Sequence, residues 1–177
     1  MTRHVAISAL LIAALGTGCS NPPANENADT TAPAAGTSAP AKAPATTTHD
    51  GRAIEVTGDD TIKFNVTEIT AKPGEKLSVT LVNTGTTPKF SMGHNWVLLA
   101  GDTDVPAFLQ AAAEAVTTDY VPAGDQGAKI LAATKLLGPN ERDTVTFTAP
   151  TEPGRYEFIC SFPGHYQVGM RGVLIVQ

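Results

Sequence analysis

Between Cys160 and Met170 the chain carries a thiol, an imidazole and a thioether within eleven residues, Cys160-Ser161-Phe162-Pro163-Gly164-His165-Tyr166-Gln167-Val168-Gly169-Met170. Thiolate and thioether are soft donors and imidazole is intermediate, so this set selects a transition metal over magnesium or calcium. Pro163-Gly164 folds the chain into a tight loop between the first two donors. A second imidazole, His94, lies far upstream in Met92-Gly93-His94-Asn95-Trp96. Each residue alone has a plain structural reading: a cysteine ending a strand and a solitary methionine are ordinary core fillers, and His94 reads as a satisfied core histidine. Together, two imidazoles, one thiolate and a distant thioether match a trigonal site with a weak axial sulfur, which holds one copper ion for electron transfer. A geometry between the preferences of Cu(I) and Cu(II) keeps reorganisation small when the electron moves. Zinc could take the same residues, but thioether is a poor zinc ligand.

The elements that must position these donors read as short strands. Ile62, Phe64 and Val66 alternate with polar residues, as do Leu77, Val79 and Leu81, then Val145 and Phe147, then Tyr156, Phe158 and Cys160. Period two predicts half-buried antiparallel strands. Lys72-Pro73-Gly74, Asn83-Thr84-Gly85, Gly138-Pro139-Asn140 and Glu152-Pro153-Gly154 are turn signals between them. Val97 to Leu99 and Val173 to Val176 read as further strands, so Cys160 to Met170 falls on a loop joining two strands of a rigid scaffold. One segment follows a helical period. After Asp104, an N-cap candidate with Pro106 in the first turn, Phe108, Leu109, Ala112 and Val116 predict a helix over 105–116 inserted between strands. The expectation is an all-β sandwich or barrel with one inserted helix.

Outside that core the composition changes. Residues 1–18 hold Arg3 and His4 and then the apolar run Val5 to Leu15, too short to span a bilayer and shaped as a signal peptide. Gly18-Cys19 resembles the lipobox of bacterial lipoproteins, which implies lipidation of Cys19 and an outer-membrane destination in a Gram-negative envelope, since Ser20 follows it. From Ser20 to Asp50 there is no Val, Ile, Leu, Met, Phe, Trp or Tyr. Such a stretch has nothing to bury against the entropy of ordering and reads as a disordered tether, with His49 a solvated histidine. The expected organisation is a signal peptide over 1–18, a lipidated cysteine and tether over 19–51, and a folded domain over 52–177. A net charge of −5 with only 12 Lys and Arg argues against nucleic acid as a partner. Two cysteines make no disulfide framework, and four histidines exclude a large multi-histidine metal cluster.

Met92-Gly93-His94-Asn95-Trp96-Val97-Leu98, Thr134-Lys135-Leu136-Leu137-Gly138 and Phe158-Ile159-Cys160-Ser161-Phe162-Pro163-Gly164-His165 resemble the azurins, with similarity over nearly all of Arg52 to Gln177. The resemblance implies a Greek-key β-sandwich with a helical flap. It implies His94, Cys160 and His165 as equatorial copper ligands, Met170 as the axial one and the Gly93 carbonyl as a weak opposite contact. It places Asn95 in a hydrogen bond near the cysteine loop and Trp96 in the core. Met92, Phe162, Pro163, Gly164 and His165 would frame an apolar docking patch. Two departures stand out. Four residues separate His165 from Met170 where azurins have three, as in the auracyanins, and the core has no cysteine besides Cys160. The functional expectation is a monomeric electron carrier of the periplasm or cell envelope, lipid-anchored, serving redox proteins such as cytochromes or copper enzymes. An enzyme would need further histidines for a second metal or an open substrate position, and the folded part has only His94 and His165. The competing reading is a periplasmic copper-binding or chaperone module, which would present exchangeable ligands on exposed, flexible segments.

Overall fold

The computed structural model describes residues 50–177. The expected leader, Cys19, His49 and the tether up to residue 49 lie outside the described residues. Among the described residues there are eight strands: β1 (Arg52–Gly58), β2 (Glu68–Ala71), β3 (Lys76–Asn83), β4 (Val97–Leu99), β5 (Ile130–Ala133), β6 (Arg142–Thr148), β7 (Gly154–Ile159) and β8 (Arg171–Val176). They form a three-stranded sheet in the order β1-β3-β6 and a five-stranded sheet in the order β2-β8-β7-β4-β5. The orders are non-consecutive, the wiring of a Greek-key sandwich.

Alternation explains the sandwich core. Leu77, Val79 and Leu81 of β3 are each 0% exposed and meet Phe158 and Leu174 from the other sheet in one cluster with Trp96. On the other face of β3 the buried Ser78 and Thr80 pair with Thr146 and Thr144 of β6 through hydroxyls 2.6 and 2.7 Å apart. Cross-strand hydroxyl pairs of this kind satisfy polar groups while adding to sheet cohesion. A second cluster lies on the outer face of the five-stranded sheet. There α2 (Val105–Glu114) lays Phe108 and Ala112 on Val97, Leu99 and Ile159. Its N-terminus is capped as the sequence predicts, the Asp104 carboxylate accepting from the Ala107 amide at 3.1 Å, with Pro106 in the first turn.

Several expectations are corrected. Ile62, Phe64 and Val66 do not form a strand: Phe64 makes only an isolated bridge to Gly58, and Ile62 sits at φ 58°. The three side chains alternate because a looping segment drops Phe64 into the core, where it packs on Phe158 with ring centroids 5.9 Å apart. A β-branched residue in the left-handed region costs on the order of 1–2 kcal/mol, so the surrounding contacts hold the turn in place. Not every pairing is antiparallel, for β1 runs parallel to β3 and β2 parallel to β8. The helix ends at Glu114; Val116 opens a short 3-10 turn and is 59% exposed. Two single-turn helices, α1 (Lys89–Met92) and α3 (Gly124–Gly127), accompany it among the described residues.

Candidate metal centre

Two chain segments far apart in sequence converge at the donor cluster. His94 follows α1 and Gly93, and its backbone is fixed by reciprocal hydrogen bonds with Leu137, 3.1 Å from the His94 amide and 2.8 Å to its carbonyl. Cys160 and Met170 close the loop between β7 and β8, the Cys160 amide donating to the Met170 carbonyl at 3.0 Å. Inside it, the His165 amide donates to Phe162, the Gly169 amide to Tyr166 and the Met170 amide to His165, at 3.1, 2.9 and 2.9 Å. Gly164 and Gly169 take φ values of 87° and 100°, which side-chain-bearing residues rarely adopt. The loop is thus a stitched series of turns with its donors facing inward.

The donor atoms of His94, Cys160 and His165 all lie within 4.8 Å of one another, and all three residues are buried. His94 Nδ1 is 3.2 Å from His165 Nδ1, which is 3.4 Å from Cys160 Sγ. The Asp59 carbonyl, 3.0 Å from His94 Nε2, can only accept, so Nε2 carries the proton and the Nδ1 lone pair turns toward the other two donors. Two ring nitrogens and a sulfur facing one another in a buried space are the donor set for one cation of copper's softness. Met170 is 0% exposed and packs beside them: a Cβ built on Gly58 would stand 2.5 Å from its methyl and 3.4 Å from His94 Cδ2.

Asn95 joins the two ligand segments. Its Oδ1 accepts from the Ser161 amide at 2.8 Å, and its Nδ2 donates to Ser161 Oγ at 2.8 Å and to the Asp119 carbonyl at 3.2 Å. Trp96 is 0% exposed in the core, where its Nε1 has no partner among the described residues. Phe162 is only 9% exposed, its ring between Tyr120 and His165 with centroids 5.0 and 4.6 Å away. Met92 is half-buried, and Pro163 and Gly164 are exposed. Sequence reasoning passed over Phe90, 84% exposed, which with Val116, Tyr120 and Leu136 lines a surface groove of about 440 Å³. No periodic signal marks it, because its residues come from three different connections. Asp59, whose carbonyl orients His94, was equally invisible, since that contact uses main-chain atoms any residue supplies.

Burial sets the protonation of the metal-free protein. It pushes the Cys160 thiol up to about 12, although the Asn95 and Phe162 amides direct N–H groups at the sulfur and favour thiolate. Burial and then the neighbouring His94 push His165 down to about 4, and burial also lowers His94. At neutral pH the free site therefore holds a thiol and two neutral imidazoles. Loading with copper at pH 7 is expected to release one proton, and apparent affinity should rise about tenfold per pH unit from 6 to 8. Titration in weakly buffered solution measures this, and an uptake without proton release would mean the thiolate is already formed. Both histidines titrate below their unfolded value near 6.5, so the metal-free fold has their full contribution above that pH and loses it as pH falls toward 4.

Residues 52–177 match the family model described as copper binding proteins, plastocyanin/azurin family. The chain is 36% identical over 127 residues to azurin of Pseudomonas chlororaphis, covering 70% of this chain and 97% of that one. It is 38% identical over 115 residues to outer membrane protein H.8 of Neisseria gonorrhoeae, covering 64% of this chain and 61% of that one. Among solved structures, the reduced auracyanin of Roseiflexus castenholzii is similar with TM-score 0.60 and 37% identity, over 73% of this chain and 99% of that one. With the buried His94, Cys160, His165 and Met170 cluster in place, the chain belongs to the plastocyanin/azurin family of copper binding proteins, as a blue copper electron-transfer protein with one copper ion as cofactor.

Proposed function

We propose that His94 Nδ1, Cys160 Sγ and His165 Nδ1 are the equatorial copper donors, with Met170 axial and the Gly93 carbonyl a weak contact opposite. The observation that carries this is the convergence of three buried donor atoms within 4.8 Å from segments far apart in sequence. When bound, copper supplies a one-electron couple, Cu(II)/Cu(I). The protein's part is to keep the donors in one geometry: Asn95 ties the Cys160 segment to the His94 segment, and Leu137 and Asp59 fix His94 from backbone and ring. A chaperone would gain from exposed, exchangeable ligands, whereas His94, Cys160 and Met170 are 0% exposed. That favours electron transfer over copper delivery.

His165, 3% exposed and next to the exposed Pro163 and Gly164, is the shallowest of the four and is the proposed exit for the electron. Met92, Phe162, Pro163, Gly164 and His165 form the docking face for redox proteins such as cytochromes or copper enzymes, met by a monomer. No Lys or Arg occurs from Cys160 to Met170, so the docking residues themselves steer little by charge, with Lys63 at the Val168 carbonyl a cation further along the loop. Because Phe162 is packed inward, a charge is better placed on its neighbour. Pro163→Glu should slow electron self-exchange several-fold at low ionic strength, through repulsion between two like copies, and recover at high salt with the visible spectrum unchanged. Equal rates at every salt concentration would move the exit to another face.

The cell envelope is the proposed location, with residues 1–18 as leader, Cys19 as lipid anchor and 19–51 as tether to the domain over 52–177. The likeness to outer membrane protein H.8 supports it. Among the described residues no helix is long and apolar enough to cross a membrane. Cys19→Ser should release the protein from membranes, and limited proteolysis should trim it to near Arg52 with its colour intact. Membrane-bound Cys19→Ser protein would refute the anchor.

A further inference from the structure

The turn over 59–63, between β1 and the bridge at Phe64, touches both ligand-bearing segments. The Asp59 carbonyl accepts a hydrogen bond from His94 Nε2 at 3.0 Å. The Asp60 carboxylate accepts from the Thr86 amide and hydroxyl at 2.9 and 2.8 Å, anchoring the turn to the segment after β3. Ile62, at φ 58° and with its amide on the Asp59 carbonyl at 2.9 Å, turns the chain back so that Lys63 reaches the ligand loop. There the Lys63 ammonium donates to the Val168 carbonyl. It occupies space that a side chain on Gly169 would need, since a Cβ there would stand 2.6 Å from Lys63 Nζ. Val168 and Gly169 lie in the stretch between His165 and Met170 that is one residue longer than in azurins. A longer connection has more ways to place its end, and Met170 follows directly from these two residues.

We propose that Lys63 is a positioning residue of the copper centre: by holding the Val168 carbonyl from outside, it fixes the 166–169 turn and so the placement of Met170. This rests on the reading of Met170 as axial donor. The bond is between an exposed side chain and a main-chain oxygen, so removing it leaves the core and the other three donors untouched. Its effect should appear in the properties that an axial sulfur controls.

The test compares Lys63→Met, Lys63→Arg, Met170→Leu and the Lys63→Met/Met170→Leu double variant. Each is measured for the ratio of visible absorption bands of the Cu(II) protein, for its reduction potential and for amide hydrogen exchange of the metal-free protein. Lys63→Met should alter the band ratio and speed exchange at Gly169 and Met170 by about fivefold or more, and Lys63→Arg should restore both. In the Met170→Leu background, Lys63→Met should change the band ratio no further, because the two act in series. If Lys63→Met leaves spectrum and exchange as in wild type, or shifts only the reduction potential, Lys63 is a surface charge and the proposal is overturned. A band shift that persists undiminished in the double variant also overturns it. If instead Met170→Leu itself changes neither spectrum nor potential, the axial reading falls and takes this one with it, an outcome separable from the others.

Discussion

Cys160→Ser is expected to abolish the intense visible absorption of the copper-loaded protein while leaving the sandwich folded. The colour of such a site arises from charge moving between a thiolate sulfur and Cu(II), and a serine oxygen is too hard a donor to supply it in the visible range. The fold should tolerate the exchange for a geometric reason. Cys160 is 0% exposed and its sulfur faces the amides of Asn95 and Phe162, to which a hydroxyl of nearly the same size can also be acceptor. The backbone bond from Cys160 to Met170 is independent of the side chain. Absorption after copper addition, alongside far-ultraviolet circular dichroism, separates loss of the ligand from loss of the fold. A serine variant that stays blue would remove Cys160 from the site.

The largest stability effect is expected at Trp96. Its side chain is fully buried against Phe158 and Phe147, with ring centroids 5.4 and 5.8 Å away, and bridges the two sheets of the core. Trp96→Ala should cost about 3–5 kcal/mol, the range for opening a large aromatic cavity in a packed interior. For a domain of this size that is a fall in Tm on the order of 10–20 °C. Trp96→Phe should cost far less than its lost area suggests. The indole Nε1 has no partner among the described residues, and deleting an unsatisfied buried donor returns part of the loss. Thermal melts of the metal-free proteins measure both; a Trp96→Phe loss as large as its lost apolar area predicts would mean that the indole nitrogen is satisfied in solution.

What the sequence makes legible here depends on how locally a feature is encoded. Cys160, His165 and Met170 lie on one loop, so their chemistry and spacing could be read directly. The helix cap at Asp104 and the inward side chains of β3 and β7 follow from three- and two-residue periods that survive in the fold. The four-residue strands β2 and β5 carry too few residues for a period to register, and β1 was hidden by its exposed polar half. Ile62, Phe64 and Val66 misled because alternation reports which side chains face inward, and a strained turn can satisfy that without strand geometry. Parallel pairing was illegible in principle: Ile69 opposite Leu174 leaves no trace in either local pattern. The same holds for Asp59 and Lys63, whose contacts with the ligand segments run through carbonyl oxygens.

The strand pairings around the ligand loop also order events in time. β7 and β8 are a hairpin in which Ile159 pairs with Arg171, so closing it gathers Cys160, His165 and Met170 at the entropic cost of a short loop. His94 joins only through pairings such as Val97 with Ile159 and Leu98 with Phe158, some sixty residues apart in the chain. The pairing of β2 with β8 spans more than a hundred. Hairpins close in roughly 1–10 μs, whereas sandwiches rich in distant pairings take milliseconds to seconds. If the hairpin closes ahead of the distant pairings during refolding, three donors come together while the fourth is still on loose chain. Copper supplied at that stage meets a flexible site that can exchange its ligands, and copper supplied later meets a closed one, so the moment of metal delivery becomes a kinetic variable in its own right.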